Sequence, residues 1–172
     1  QAMDWVLTNY GNVPWPGEEM RALKLHCVRG LMASEAGSEF FLTAVQALTY
    51  DWNPQNEIPW AVADEILLGM DKRIAKEDKE LRSRLLYARY SVHDRRADAK
   101  GTKLAIHLLE QLEKEFSDTR VGSMAKGLLF DKRHLQVGMK APEFVGVNVD
   151  GEEIRLSDYK GKVTYLVFWG FW

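Results

Sequence analysis

Between Glu18 and Leu135 apolar residues return at three- and four-residue intervals, the period of one face of an α-helix. Met20, Leu23, Cys27 and Leu31 share such a face on a helix that Glu18-Glu19 open and that runs to about Ala33. Ser38 suits the cap of a second helix, with Phe41, Ala44, Val45 and Leu48 on one side and an end near Tyr50. A third shows Ala63, Ile66, Leu67, Met70 and Ile74, and Pro59 suits its first helical position. After a brief break at Lys76–Asp78 the pattern resumes with Leu81, Leu85, Ala88 and Val92. Leu104, Leu108, Leu109, Leu112 and Phe116 mark the next helix, where Glu110 and Lys114 stand at the favourable i,i+4 spacing. Ser117-Asp118-Thr119 then supplies a turn and cap before a last helix through Ala125, Leu128 and Leu129 to about Leu135. Gly11–Gly17, Asp51–Asn56 and His93–Asp98 read as loops, and Trp5–Tyr10 as a short apolar segment at the start.

After Leu135 the period changes. Asp150-Gly151 lies between short apolar runs, a hairpin signal. Val163-Thr164-Tyr165-Leu166-Val167-Phe168 then shows neither alternation nor charge, which predicts a strand covered on both faces. Leaving most of that run in water would forfeit on the order of 10 kcal/mol, comparable to the net stability of a domain. Val163–Trp172 is therefore not expected as a free, solvated strand in a monomer. It should dock on the helices, pair with another copy through an open edge that no proline blocks, or belong to a longer protein.

The order of these signals carries a resemblance. Val137-Gly138-Met139-Lys140-Ala141-Pro142-Glu143-Phe144, the Asp150-Gly151 hairpin, Leu156-Ser157-Asp158-Tyr159-Lys160-Gly161-Lys162, the apolar run and Phe168-Trp169-Gly170-Phe171-Trp172 follow one another. Together they resemble the opening of a redoxin domain of the TlpA-like thiol-disulfide oxidoreductases, thioredoxin-fold relatives of the peroxiredoxins (the AhpC-TSA group). The aromatic ending favours the oxidoreductase branch, since peroxiredoxins usually carry a Phe-Tyr-Pro type sequence there. The resemblance implies a Cys-x-x-Cys as the next residues, so the chain would be a fragment whose catalytic dithiol lies past its end, inactive by itself in dithiol exchange. It further implies that Trp169, Phe171 and Trp172 form an apolar rim beside that dithiol, with Trp172 the foremost candidate and Phe168 in the core. Partners would be protein thiols and disulfides, and the compartment extracytoplasmic. The last two helices resemble a tetratricopeptide-type hairpin, with Phe116-Ser117-Asp118-Thr119 at the turn.

The expected architecture is mainly α: a helical domain of antiparallel hairpins over 1–135, then the first β-hairpin and strand of a thioredoxin-like α/β domain over 136–172. Composition adds little to this. The 172 residues are 46% hydrophobic and 28% charged, as in ordinary globular domains, and the net charge of −2 gives no reason to expect nucleic acid or anionic membrane as a partner. No run reaches the roughly 20 apolar residues of a membrane span. The single cysteine, Cys27, permits no intrachain disulfide. His26 beside it points about 100° away on a helix, poor geometry for a thiolate–imidazole pair, and the apolar face around Cys27 makes it a core residue. His26, His93, His107 and His134 show no metal-ligand spacing, and no cofactor is expected. Arg95-Arg96 and Lys132-Arg133 read as solvated charge pairs, and Glu18-Glu19 and Asp64-Glu65 as surface or cap residues. Trp52 and Trp60 read as packing residues beside a proline-containing loop. Two other functions fit the same residues: a helical protein- or peptide-binding module, and a peroxiredoxin-type antioxidant protein.

Overall fold

Ser38 does cap a helix: its Oγ accepts the Phe41 N–H at 3.3 Å, and the helix so started is Glu39–Thr49. In a computed structural model that describes residues 1–9, 17–49, 57–96, 98–167 and 170, seven helices fill the first three quarters of the described chain. They are α1 (Ala2–Asn9), α2 (Gly17–Leu31), α3 (Glu39–Thr49), α4 (Trp60–Asp71), α5 (Lys79–Asp94), α6 (Ala99–Phe116) and α7 (Gly122–His134). Helical periodicity located α2 to α7 to within a few residues, whereas α1 covers most of what read as a short apolar segment at Trp5–Tyr10. Two details differ. Pro59 is the N-cap of α4 rather than its first helical residue, with an extended ψ of 133°. The interruption after Asp71 is a full turn region, because Asp78 accepts the Leu81 N–H at 3.0 Å and so fixes where α5 starts. Ile74 lies outside both helices yet stays buried.

Two compact units divide the chain, Gln1–Leu129 and Phe130–Trp172. The first holds two apolar clusters. One gathers α1 to α5 around Val28, Phe41, Ala44, Leu67 and Met70, all sealed from solvent. The other joins Leu86 and Tyr90 of α5 to Leu108, Leu109, Leu112 and Phe116 of α6 and to Ala125 and Leu129 of α7. Helix α5 belongs to both: Leu81, Leu85, Ala88 and Val92 face the first cluster while Leu86 and Tyr90 face the second. Its pattern showed only the first face, because Tyr87, Arg89 and Ser91 interrupt the second. Thr119 makes the α6–α7 turn, donating its hydroxyl to Phe116 O at 2.8 Å and accepting the Gly122 N–H at 3.1 Å.

The second unit contains an antiparallel hairpin, β1 (Val145–Val147) with β2 (Glu153–Arg155), in the register Val145↔Arg155, Gly146↔Ile154, Val147↔Glu153. The loop sits where Asp-Gly placed it. Gly151 takes a φ of 84°, a left-handed value that side chains rarely adopt, and the Asn148 carboxamide oxygen accepts the N–H groups of Asp150 and Glu152 at 2.9 Å. A 3-10 turn, Leu156–Tyr159, follows. The expected strand over the apolar run is absent: Val163–Val167 has no regular structure. A strand exists only through its ladder, and among the described residues β1 and β2 pair with each other alone.

Candidate functional site

The segment ahead of β1 is tied to the 3-10 turn behind β2. Leu156 N–H donates to Phe144 O at 3.2 Å, and the Glu143 carboxylate accepts the Ser157 N–H at 3.1 Å. The Ser157 amide holds the Glu143 carboxyl below its usual range. Arg155 N–H donates to Asp158 at 2.8 Å, which caps the turn. These bonds present Val163–Val167 at the end of a fixed frame, with Val163 and Tyr165 almost wholly in solvent and Leu166 and Val167 at least half exposed. Among the described residues of 130–172 none is buried. The rim candidates Trp169, Phe171 and Trp172, and Phe168 with them, lie outside the described residues.

Cys27 is where its helical face put it, 2% exposed within the first core cluster, and burial pushes its thiol up from the ordinary value. His26 faces solvent, so the adjacent pair makes no thiolate–imidazole arrangement. The other histidines are dispersed as well. His107 and His134 are exposed, and His93 is buried. Among the described residues no three metal-ligating side chains come together, and no helix is long and apolar enough to cross a membrane.

The helical unit instead contains a polar junction that the sequence reading divided into unrelated surface pairs. Asp64 on α4 accepts from Arg89 Nε at 2.6 Å and Nη2 at 3.4 Å, and its Oδ1 is 3.2 Å from His93 Nε2, off the line of a well-directed hydrogen bond. The Arg96 guanidinium stacks 3.7 Å over the Trp60 ring, reaches His93 Nδ1 at 3.4 Å and grips Asp98 through three contacts of 2.9–3.0 Å. Arg96 is therefore no solvated charge; its side chain is 12% exposed. Trp60, at 47% exposed, packs against that guanidinium instead of an apolar core. Trp52 lies outside the described residues. A usable signal was present in the spacing: Trp60 and Asp64 are four apart on one helix, and Arg89 and His93 four apart on the next. The missing step was knowing that these two faces meet.

Burial opposes ionisation of Asp64, but the hydrogen bond and charge of Arg89, with His93 behind them, outweigh it and hold the carboxyl below its ordinary range. A carboxyl lowered on folding stabilises the fold fully above its unfolded value of about 3.9 and loses that contribution as pH falls through the lower folded value. Asp64→Asn is expected to lower stability by about 1–3 kcal/mol at neutral pH, since it removes the anion from a nearly buried guanidinium. The gap from wild type should close at strongly acid pH. Urea unfolding across a pH series measures both, and equal midpoints at neutral pH would count against the ion pair.

Beside the junction, Leu68, Leu85, Leu86 and Phe116 floor an open cleft of about 80 Å³, with Asp71, Arg82, Arg89 and Gln111 on its walls. Both guanidinium groups are already committed, Arg82 to Asp71 at 3.4 Å and Arg89 to Asp64.

Comparison with known proteins bears on only part of the chain. Thiol-disulfide oxidoreductase ResA of Bacillus thuringiensis is 42% identical over 50 residues, 29% of this chain and 29% of that protein. ResA of Geobacillus kaustophilus is 50% identical over 42 residues, 24% of each chain. ResA of Bacillus subtilis is 46% identical over 41 residues, 24% of this chain and 23% of that protein. The matches thus span under a third of the length of these curated relatives. They support a thioredoxin-like redox family for the part they cover. No family model and no solved structure matches the chain.

Proposed function

We propose that residues 137–172 are the entry segment of a TlpA-like thioredoxin-fold domain, and that the parent protein is a thiol-disulfide oxidoreductase carrying its dithiol past Trp172. The observation that carries this reading is the state of the second unit. It has a fixed hairpin, a capped turn and an apolar run, and no buried residue among those described. Such surfaces suit cover on both faces by further helices and strands of an α/β sheet. The partial likeness to ResA supports the same assignment.

In the parent, the thiolate of the first cysteine attacks a substrate disulfide and expels one substrate sulfur as a thiol. The second cysteine then attacks the mixed disulfide and releases the other. Two protein thiols become a disulfide while the substrate disulfide becomes two thiols, and the reverse sequence oxidises a dithiol. Trp169, Phe171 and Trp172 form the apolar rim of that site, and Phe168 packs into the core. Substrates are protein thiols and disulfides, and the setting is extracytoplasmic, where such exchange persists. Cys27 takes no part, being buried in the helical core with its thiol pushed up. Sequencing the coding region past Trp172 is expected to show Cys-x-x-Cys at once. A reading frame without a cysteine pair there would overturn the assignment and leave the helical binding module as the better reading.

A further inference from the structure

The loop between β1 and β2 carries a peptide bond whose chemistry and whose fold pull in opposite directions. We propose that Asp150 is a site of spontaneous aspartate-to-isoaspartate conversion, and that Asn148 holds the conversion off while the hairpin is closed. The chemistry needs only this loop and water, and it stands apart from the redox reading.

Asp150 alone among the aspartates precedes a glycine, and no asparagine does. The reaction is a ring closure. The Gly151 amide nitrogen gives up its proton and attacks Asp150 Cγ, a carboxyl oxygen leaves as water, and a five-membered imide forms. Water then reopens the ring. Attack at Cγ restores aspartate. Attack at the Asp150 carbonyl carbon breaks its bond to the Gly151 nitrogen and leaves the main chain running through Cβ and Cγ. One water is lost and one regained, and nothing is oxidised or reduced. A side chain on the following residue would crowd the attacking nitrogen; Gly151 has none, and the space where its Cβ would stand is open. Both residues are exposed, so water reaches the ring.

The closed loop opposes that chemistry. The Gly151 N–H, whose nitrogen is the nucleophile, donates to Asn148 O at 3.1 Å. Asn148 Oδ1 accepts the N–H groups of Asp150 and Glu152, each at 2.9 Å, which pins the backbone on both sides of the reacting bond. Asn148 Nδ2 donates to Glu152 Oε2 at 3.1 Å, and the Asn148 N–H closes the loop on Glu152 O at 2.9 Å. Ring closure requires the Gly151 proton released and the Asp150 torsions turned, so it proceeds from the open loop. Asn148 takes part in every one of these bonds. Its side chain is therefore the clasp.

Conversion also undoes the clasp for good. Isoaspartate adds a methylene to the main chain inside a loop whose length sets the strand register. The bonds that join Gly151 and Glu152 to Asn148 are set for the shorter path, so Val147↔Glu153, the first pair beyond the loop, comes apart.

Ageing the 172-residue chain in warm neutral buffer tests both halves. Digestion, separation of the equal-mass isomers and methyl transfer by an isoaspartyl methyltransferase measure conversion at Asp150. The same measurement on a 146–153 peptide, too short to keep the hairpin, gives the unrestrained rate. Conversion in the chain is expected to be several-fold slower than in its peptide. Asn148→Ala should bring the chain close to the rate of its own peptide, with the circular dichroism of the helical unit unchanged. Asp150→Glu, whose ring would be six-membered, should show no conversion there. In the converted chain the Asn148 amide should lose its protection from hydrogen exchange, while the Leu81 amide, capped by Asp78 at 3.0 Å, keeps its own. No conversion in the peptide, equal rates in chain and peptide, slow conversion that survives Asn148→Ala, or a converted chain with the Asn148 amide still protected would overturn the proposal.

Discussion

Residues 137–172, prepared as a separate peptide, are expected to show no cooperative transition in heat or urea, whereas residues 1–136 keep theirs. The difference is one of folded against unfolded, because the two parts bury their apolar residues so differently. Every buried hydrophobic residue described lies between Leu7 and Leu129. Phe41, Leu67, Met70, Leu109 and Leu112 are at or near complete burial there, each contributing roughly 1.5–3 kcal/mol. In the C-terminal unit, Val145 is 53% exposed and Val147 69%, the outward positions of β1. A chain of that length without a disulfide or metal has too little core to offset its conformational entropy, and a lone two-stranded hairpin is marginal in water. Ending the helical piece at 136 leaves α7 intact through His134. Circular dichroism of the two pieces decides the matter. A cooperative transition in the 137–172 peptide, or its loss from 1–136, would show that the core has been assigned to the wrong part.

The helices were legible because amphipathic faces repeat locally and their caps are local too. Ser38, Asp78 and Asp98 each accept an N–H three residues ahead, an interaction that sequence spacing can reveal. The hairpin was legible for a similar reason, since Asp150-Gly151 fixes its own turn. The polar junction was not. Asp64, Arg89, His93, Arg96 and Asp98 come from two helices and a connection, and nothing in 25 residues of separation between Asp64 and Arg89 says that they touch. Arg95-Arg96 shows the limit most plainly: adjacent and identical in chemistry, one arginine pairs with Glu57 at the surface and the other is held between Trp60, His93 and Asp98. The apolar run failed in the opposite sense. Val163–Val167 has every preference for a covered strand, yet strand formation requires partners that its own sequence does not supply.

Turnover of insulin disulfides is the most direct measurement of the proposed function, and it is an all-or-none comparison. A two-cysteine cycle needs a nucleophile and a resolving thiol within reach of one another, and the 172 residues contain one cysteine. That thiol is 2% exposed, and burial raises it away from the reactive thiolate form. The chain of 172 residues should therefore leave insulin unreduced above the reductant background. A protein extended past Trp172 through the proposed Cys-x-x-Cys and the proposed remainder of a thioredoxin-like domain should reduce it catalytically, and Cys27→Ser in that protein should leave the rate unchanged. Catalytic turnover by the 172-residue chain, or none by the extended protein, would contradict the account.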